Sequence, residues 1–159
     1  AGSKRQESDL WRLREDTDQL YRAHAAAPSY DVSVPLSEIE AYVEHVTSGL
    51  NRIDADLVPY IFGHLADGNL HIVLNRVGPL DTALSRAVDH VLYAALRALG
   101  GSFSAEHGVG SKRIPALVAT SDPAKLATMM LFKQVLDPDL TLNPGKVLPI
   151  PTQAREKSQ

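Results

Sequence analysis

The chain has 159 residues, 44% of them hydrophobic, which is enough for one domain with a core of its own. A formal net charge of −3 excludes the basic footprint that grips nucleic acid or an anionic membrane. Cysteine is absent, so disulfides, thiolate metal sites and cysteine nucleophiles are excluded together, and His, Asp and Glu are left as metal ligands.

No apolar run approaches the roughly 20 residues that span a bilayer, and the N-terminus has no signal-peptide core, so a cytoplasmic protein is expected. Residues 1–8 read as a tag or linker, 9–149 as a single domain and 150–159 as a disordered tail. Over 9–24, Leu10, Leu13, Thr17, Leu20 and Tyr21 recur at helical spacing and predict one amphipathic helix. Residues 30–34 (YDVSV) alternate with period two and predict a strand closed by Pro35. Ser37 and Glu40 have the spacing of a capping box before a helix whose apolar face is Ile39, Tyr42, Val43, Val46 and Leu50. Residues 57–63 and 70–75 are strand-like and flank Asp67-Gly68. Residues 80–99 form the strongest helical pattern, stopped by Gly100-Gly101, and 102–105 predict a short strand.

That order is β-α-β-β-α-β, the ferredoxin-like split arrangement. The expected class is therefore α+β: one antiparallel sheet with helices on one face and an extra helix in front. A further helix is expected from Asp122 (cap) and Pro123 to about Leu136, followed by a Pro-, Asp-, Asn- and Gly-rich arm over 137–149.

Chemistry concentrates in two segments. Asp67-Gly68 between apolar runs predicts a two-residue hairpin loop, which sets His64 directly opposite His71 on one face. Cross-strand partners have Cβ atoms roughly 4.5–5.5 Å apart, close enough for two imidazoles to share one ion. The alternative is a hairpin tip with two solvated histidines. In the second segment, Glu106 and His107 end the last predicted strand, before Gly108-Val109-Gly110. In a ferredoxin-like sheet Glu106 can complete a His-His-Glu set, three protein ligands with an open position, while His107 stays free as a base. The alternative there is a surface acid and histidine at a strand end. The glycines match neither a dinucleotide fingerprint nor a P-loop.

At these segments the chain resembles the FAD-linked oxidases of the D-lactate dehydrogenase, glycolate oxidase and D-2-hydroxyglutarate dehydrogenase type. The resemblance rests on residues 63–71 (GHLADGNLH), 104–110 (SAEHGVG) and 142–149 (LNPGKVLP), with 11–15 (WRLRE) and 30–35 (YDVSVP) in the family's order. It covers about residues 9–149. It implies a ferredoxin-like C-terminal domain packed over a flavin, with His64, His71 and Glu106 holding zinc or manganese and His107 acting as the base. By the same resemblance Arg14 takes the substrate carboxylate, and the arm around Asn143 returns to the flavin. Nothing in the sequence resembles the flavin-binding domain, so most of the FAD is expected to be held outside this chain. The implied reaction is oxidation of a small D-2-hydroxy acid, of lactate or glycolate type, to the 2-oxo acid by hydride transfer to flavin. A face that meets a flavin domain also leaves a homo-oligomer open for the isolated chain.

Some positions depart from that family. Ala66 stands at a hairpin glycine, Val73 where relatives often have Asn, Asp18 where dicarboxylate-oxidising relatives have Thr, and Ser29 where they have Lys. A lost lysine and a gained acid argue against a second substrate carboxylate. They also keep open a catalytically silent binding or assembly module with the same fold. A flavin-free metal hydrolase is a third reading, which leaves the Asn-Pro-Gly-Lys arm unexplained.

Overall fold

Three antiparallel strands organise the computed structural model, which describes residues 2–150. They are β1 (Ser29–Ser33), β2 (Pro59–His64) and β3 (Asn69–Leu74), in the order β1-β3-β2. Ser102 adds one bridge to Ser33, so the expected fourth strand is reduced to a single pair on the outer side of β1. The resulting order is that of the split βαββαβ arrangement, with its fourth strand cut short. Of the strand expected over 102–105, the remainder leaves the sheet edge, for a reason that lies in the site.

Alternation decides which face is apolar. Tyr30 and Val32 of β1, Leu70, Ile72 and Leu74 of β3, and Ile61 of β2 point to one face. Covering it are α3 (Ile39–Ile53) and α4 (Thr82–Tyr93), through Tyr42, Val46, Leu50, Val88 and Leu92. Burying each such leucine or valine contributes roughly 1.5–3 kcal/mol. The two helices approach closely at Gly49, where a Cβ would lie 2.6 Å from Val91 Cγ1, and Tyr42 Oη donates to Leu92 O at 2.6 Å.

Helix boundaries follow local chemistry. The pattern over 9–24 is two helices, α1 (Lys4–Glu15) and α2 (Asp18–Ala23). The break falls at Asp16, whose carboxylate accepts from Gln19 Nε2 and Arg22 instead of leaving the helix to continue. Contrary to the expected amphipathic role, neither helix buries a side chain, and Leu10, Trp11 and Leu13 are exposed. The Ser37–Glu40 capping box does not form either. Pro35 instead starts a 3₁₀ turn over Leu36–Glu38, Ser37 Oγ donates to Glu38, and α3 follows without a side-chain cap. Asp81 caps α4 through Ala83 N and Leu84 N, and the long helix expected over 80–99 breaks at Ala94–Ala95 before α5 (Leu96–Leu99). Gly100, left-handed at φ 72°, ends it as expected. A short helix that periodicity did not flag, α6 (Ile114–Thr120), precedes α7 (Pro123–Leu136), which starts at the Asp122 cap. The arm beyond is a run of turns pinned at Asp137 rather than an extended segment. Thr141 N, Leu142 N and Lys133 Nζ all donate to that buried carboxylate. The tail expected over 150–159 lies, apart from Ile150, outside the described residues.

A candidate metal centre on the open face of the sheet

The face turned away from the helices carries Asp31 of β1, His71 of β3 and His64 of β2, with the ring of Phe62 beside His71. The hairpin that presents both histidines differs from the expected one. Its loop has four residues, a 3₁₀ turn over Leu65–Asp67 closed by left-handed Gly68, with Asn69 N donating to Asp67 Oδ1. His64 therefore pairs with Asn69, and His71 with Phe62. The two histidines are diagonal neighbours on one face, their ring centres 5.7 Å apart. Two close approaches impose this register. At Gly63 a Cβ would sit 2.2 Å from Asn69 O, and at Gly68 it would sit 2.0 Å from Val34 O. Val34 N also donates to Gly68 O, which straps the hairpin tip to the end of β1.

Glu106 comes from the segment that left the sheet edge. What draws it off is Asp31, fully buried, whose Oδ2 accepts from the backbone N–H groups of Ala105, Glu106 and His107 at 3.0, 3.0 and 2.9 Å. Ser104 Oγ lies 3.2 Å from the same oxygen. Three consecutive amides on one carboxylate curl the chain across the open face, where continued strand pairing would have sent those amides elsewhere. Burial works to raise the Asp31 carboxyl, but the His107 and Glu106 amides, with the nearby His107 ring and the Ser104 hydroxyl, together hold it below the usual carboxylate range.

The result is convergence. One ligand atom each from His64, His71 and Glu106 lies within 4.8 Å of the others. Glu106 Oε1 is 3.2 Å from His71 Nε2, and its Oε2 is 3.9 Å from His64 Nδ1. Donors around a tetrahedral ion stand roughly 3.4 Å apart, given bonds of about 2.1 Å, and the 3.2 and 3.9 Å separations from Glu106 to the two histidines bracket that spacing. His107 stacks beside His71 at 5.5 Å between ring centres and is half exposed. Its Nδ1 is 3.7 Å from Asp31 Oδ2 and its Nε2 is 3.7 Å from Glu106 Oε1. Two neutral-capable nitrogens, one carboxylate and a spare imidazole form a donor set suited to a catalytic divalent ion.

Two expected site residues stand apart from this cluster. Arg14, on α1, is exposed, with its guanidinium 5.2 Å from the Trp11 ring and 3.8 Å from Glu15. Asn143 lies in the arm in a left-handed conformation, φ 47°, and accepts from Lys146 N. The residue that ends α2 does reach the open face, since His24 packs on Tyr60 with 3.3 Å between Nε2 and Oη. Asp31 is the site residue that sequence reasoning missed. Its signal was the polar position of an alternating strand, but only strand pairing reveals that it stands directly opposite His71.

Residues 1–147 match the family described as FAD linked oxidases, C-terminal domain. Among similar curated proteins, the D-2-hydroxyglutarate dehydrogenase of Xanthomonas citri pv. viticola is 38% identical over 149 residues, covering 91% of this chain and 31% of its own length. The mitochondrial D-2-hydroxyglutarate dehydrogenase of Arabidopsis thaliana is 35% identical over 91% of the chain and 25% of its own length. That of Bos taurus is 35% identical over 88% and 25%. The chain thus spans a quarter to a third of the length of these relatives. Among the described residues no helix is long and apolar enough to cross a membrane. With two relatives named mitochondrial, a cytoplasmic location is not general among these proteins.

Proposed function

The chain belongs to the FAD linked oxidase C-terminal domain family, and from that premise we propose that it supplies the metal and substrate half of a flavin-dependent D-2-hydroxy acid dehydrogenase. The observation that carries this reading is the meeting of His64, His71 and Glu106 within 4.8 Å, beside His107. In it, those three residues hold a divalent ion, zinc or manganese, and FAD is held chiefly by a flavin-binding domain outside this chain. When bound, the ion acidifies the substrate's 2-hydroxyl and orients C2, and the flavin receives the hydride.

The rest is the work of this chain's own residues. His107 takes the hydroxyl proton at Nε2 while its Nδ1 stays turned toward Asp31. Arg14 binds the substrate carboxylate through a bidentate guanidinium pair, which requires the substrate to reach from the metal set to α1. Asn143 sits in the arm that meets the flavin. The test is anaerobic mixing of the chain, joined to a flavin-binding domain, with D-2-hydroxyglutarate, D-lactate and glycolate. Bleaching of the flavin absorbance is expected with at least one of them, and no bleaching with any D-2-hydroxy acid sinks the reading. A silent assembly module would also fail to take up zinc, manganese or cobalt.

A further inference from the structure

Asp31 has a second oxygen that the turn does not use. Oδ1 is buried, and among the described residues no hydrogen-bond donor reaches it. An ionised acceptor left without a donor inside a protein is costly, more so than a neutral one. Facing it across the β1–β3 pair is His71 Nδ1, at 3.9 Å. His71 turns its other nitrogen, Nε2, to Glu106. His107 repeats the orientation, Nδ1 toward Asp31 Oδ2 and Nε2 toward Glu106 Oε1. Two imidazoles from different elements thus turn the same ring atom to one buried carboxylate.

We propose that Asp31 is a positioning residue that fixes the neutral tautomer of His71, and with it that of His107, with the proton on Nδ1 and the lone pair on Nε2. A neutral imidazole has one N–H and one lone pair, and the carboxylate accepts but cannot donate. It therefore selects the tautomer that presents N–H to it. The consequence at the metal set is direct: His71 has a lone pair ready at the nitrogen that faces Glu106, with no ring flip or proton shift to be made first. Carboxylates behind ligating histidines act in this way elsewhere, and their loss typically weakens metal binding 10–100-fold. This deepens the metal reading of the site and rests on it, but the tautomer is a property of the metal-free chain as well.

Asp31→Asn separates positioning from plain structural support. The amide oxygen of the substituted side chain still accepts the three backbone N–H groups of the turn, whereas its NH₂ now faces His71 Nδ1 and favours the opposite tautomer. Long-range ¹H–¹⁵N spectra of the metal-free chain at pH 8 read which ring nitrogen carries the proton, and titration with Co²⁺ alone, followed by its visible absorption, reads affinity. The expected result is Nδ1–H on His71 in the wild type, a switch toward Nε2–H in Asp31→Asn with the fold retained by circular dichroism, and Co²⁺ binding weakened 10–100-fold. Nε2–H in the wild type overturns the proposal without need of any variant, so it stays testable even if Asp31→Asn does not fold. A folded Asp31→Asn that keeps both tautomer and Co²⁺ affinity also overturns it. A tautomer switch in a chain that takes up no Co²⁺ leaves Asp31 in this role and sinks the metal reading instead.

Discussion

Single residues here divide into those that would hold an ion and those that act beside it, and substitutions tell them apart. His64→Ala is expected to abolish Co²⁺ or Zn²⁺ uptake, whereas His107→Ala leaves uptake intact and slows flavin reduction in the joined protein about 100-fold or more. Calorimetry and stopped-flow absorbance check the two halves. Gly63→Ala forces a Cβ into Asn69 O and shifts the β2–β3 register that sets the histidine diagonal. It should weaken metal uptake while leaving most helical signal intact. How much of this was legible in sequence depends on distance along the chain. His64, His71, Glu106 and His107 announce themselves by residue type inside short motifs. The diagonal was not legible, because Asp-Gly also fits a four-residue loop once Gly68 is strapped to Val34. Asp31 was invisible for a sharper reason: its meaning comes from residues some 40 and 75 positions away, and no local periodicity records such a pairing.

At the level of elements, propensity located α3, α4 and α7 well because each carries a strong stripe or an aspartate cap. Asp81→Ala and Asp122→Ala should each cost about 1 kcal/mol in urea unfolding, since each leaves two amides without an acceptor. Where periodicity misled, a side chain had competed with the backbone, as at Asp16 and again where the amides after Ser104 turn to the Asp31 carboxylate instead of a strand ladder. The arm offers a pH test. Lys133 first, then the Leu142 and Thr141 amides and the Thr141 hydroxyl, hold the Asp137 carboxyl far below its ordinary value. With the folded value below the unfolded one of about 3.9, this stabilisation is fully present above that pH and is lost as pH falls toward the folded value. Wild type should therefore lose stability more steeply below about pH 4 than Asp137→Asn does, as read by thermal melts across pH 2–6.

For the molecule as a whole, stability and recognition occupy different places. The core lies between the sheet and α3–α4, so Leu92→Ala should cost about 2–5 kcal/mol. Phe132, Leu131 and Val135 of α7 are 60–67% exposed, and Phe132→Ser should move the melting free energy by no more than about 0.5 kcal/mol. The α+β class and strand order were readable from the alternation of periods two and 3.6, while the exposure of α1 and α7 was not, because an apolar stripe does not say what covers it. That exposure of α1 has an evolutionary side. A helix with no buried side chain can exchange its outward residues at almost no thermodynamic cost, whereas the histidine face is locked to the strands that fold the domain. On thermodynamic grounds alone, the outward residues of α1 are therefore free to drift between lineages, whereas a change on the histidine face is felt by the sheet itself.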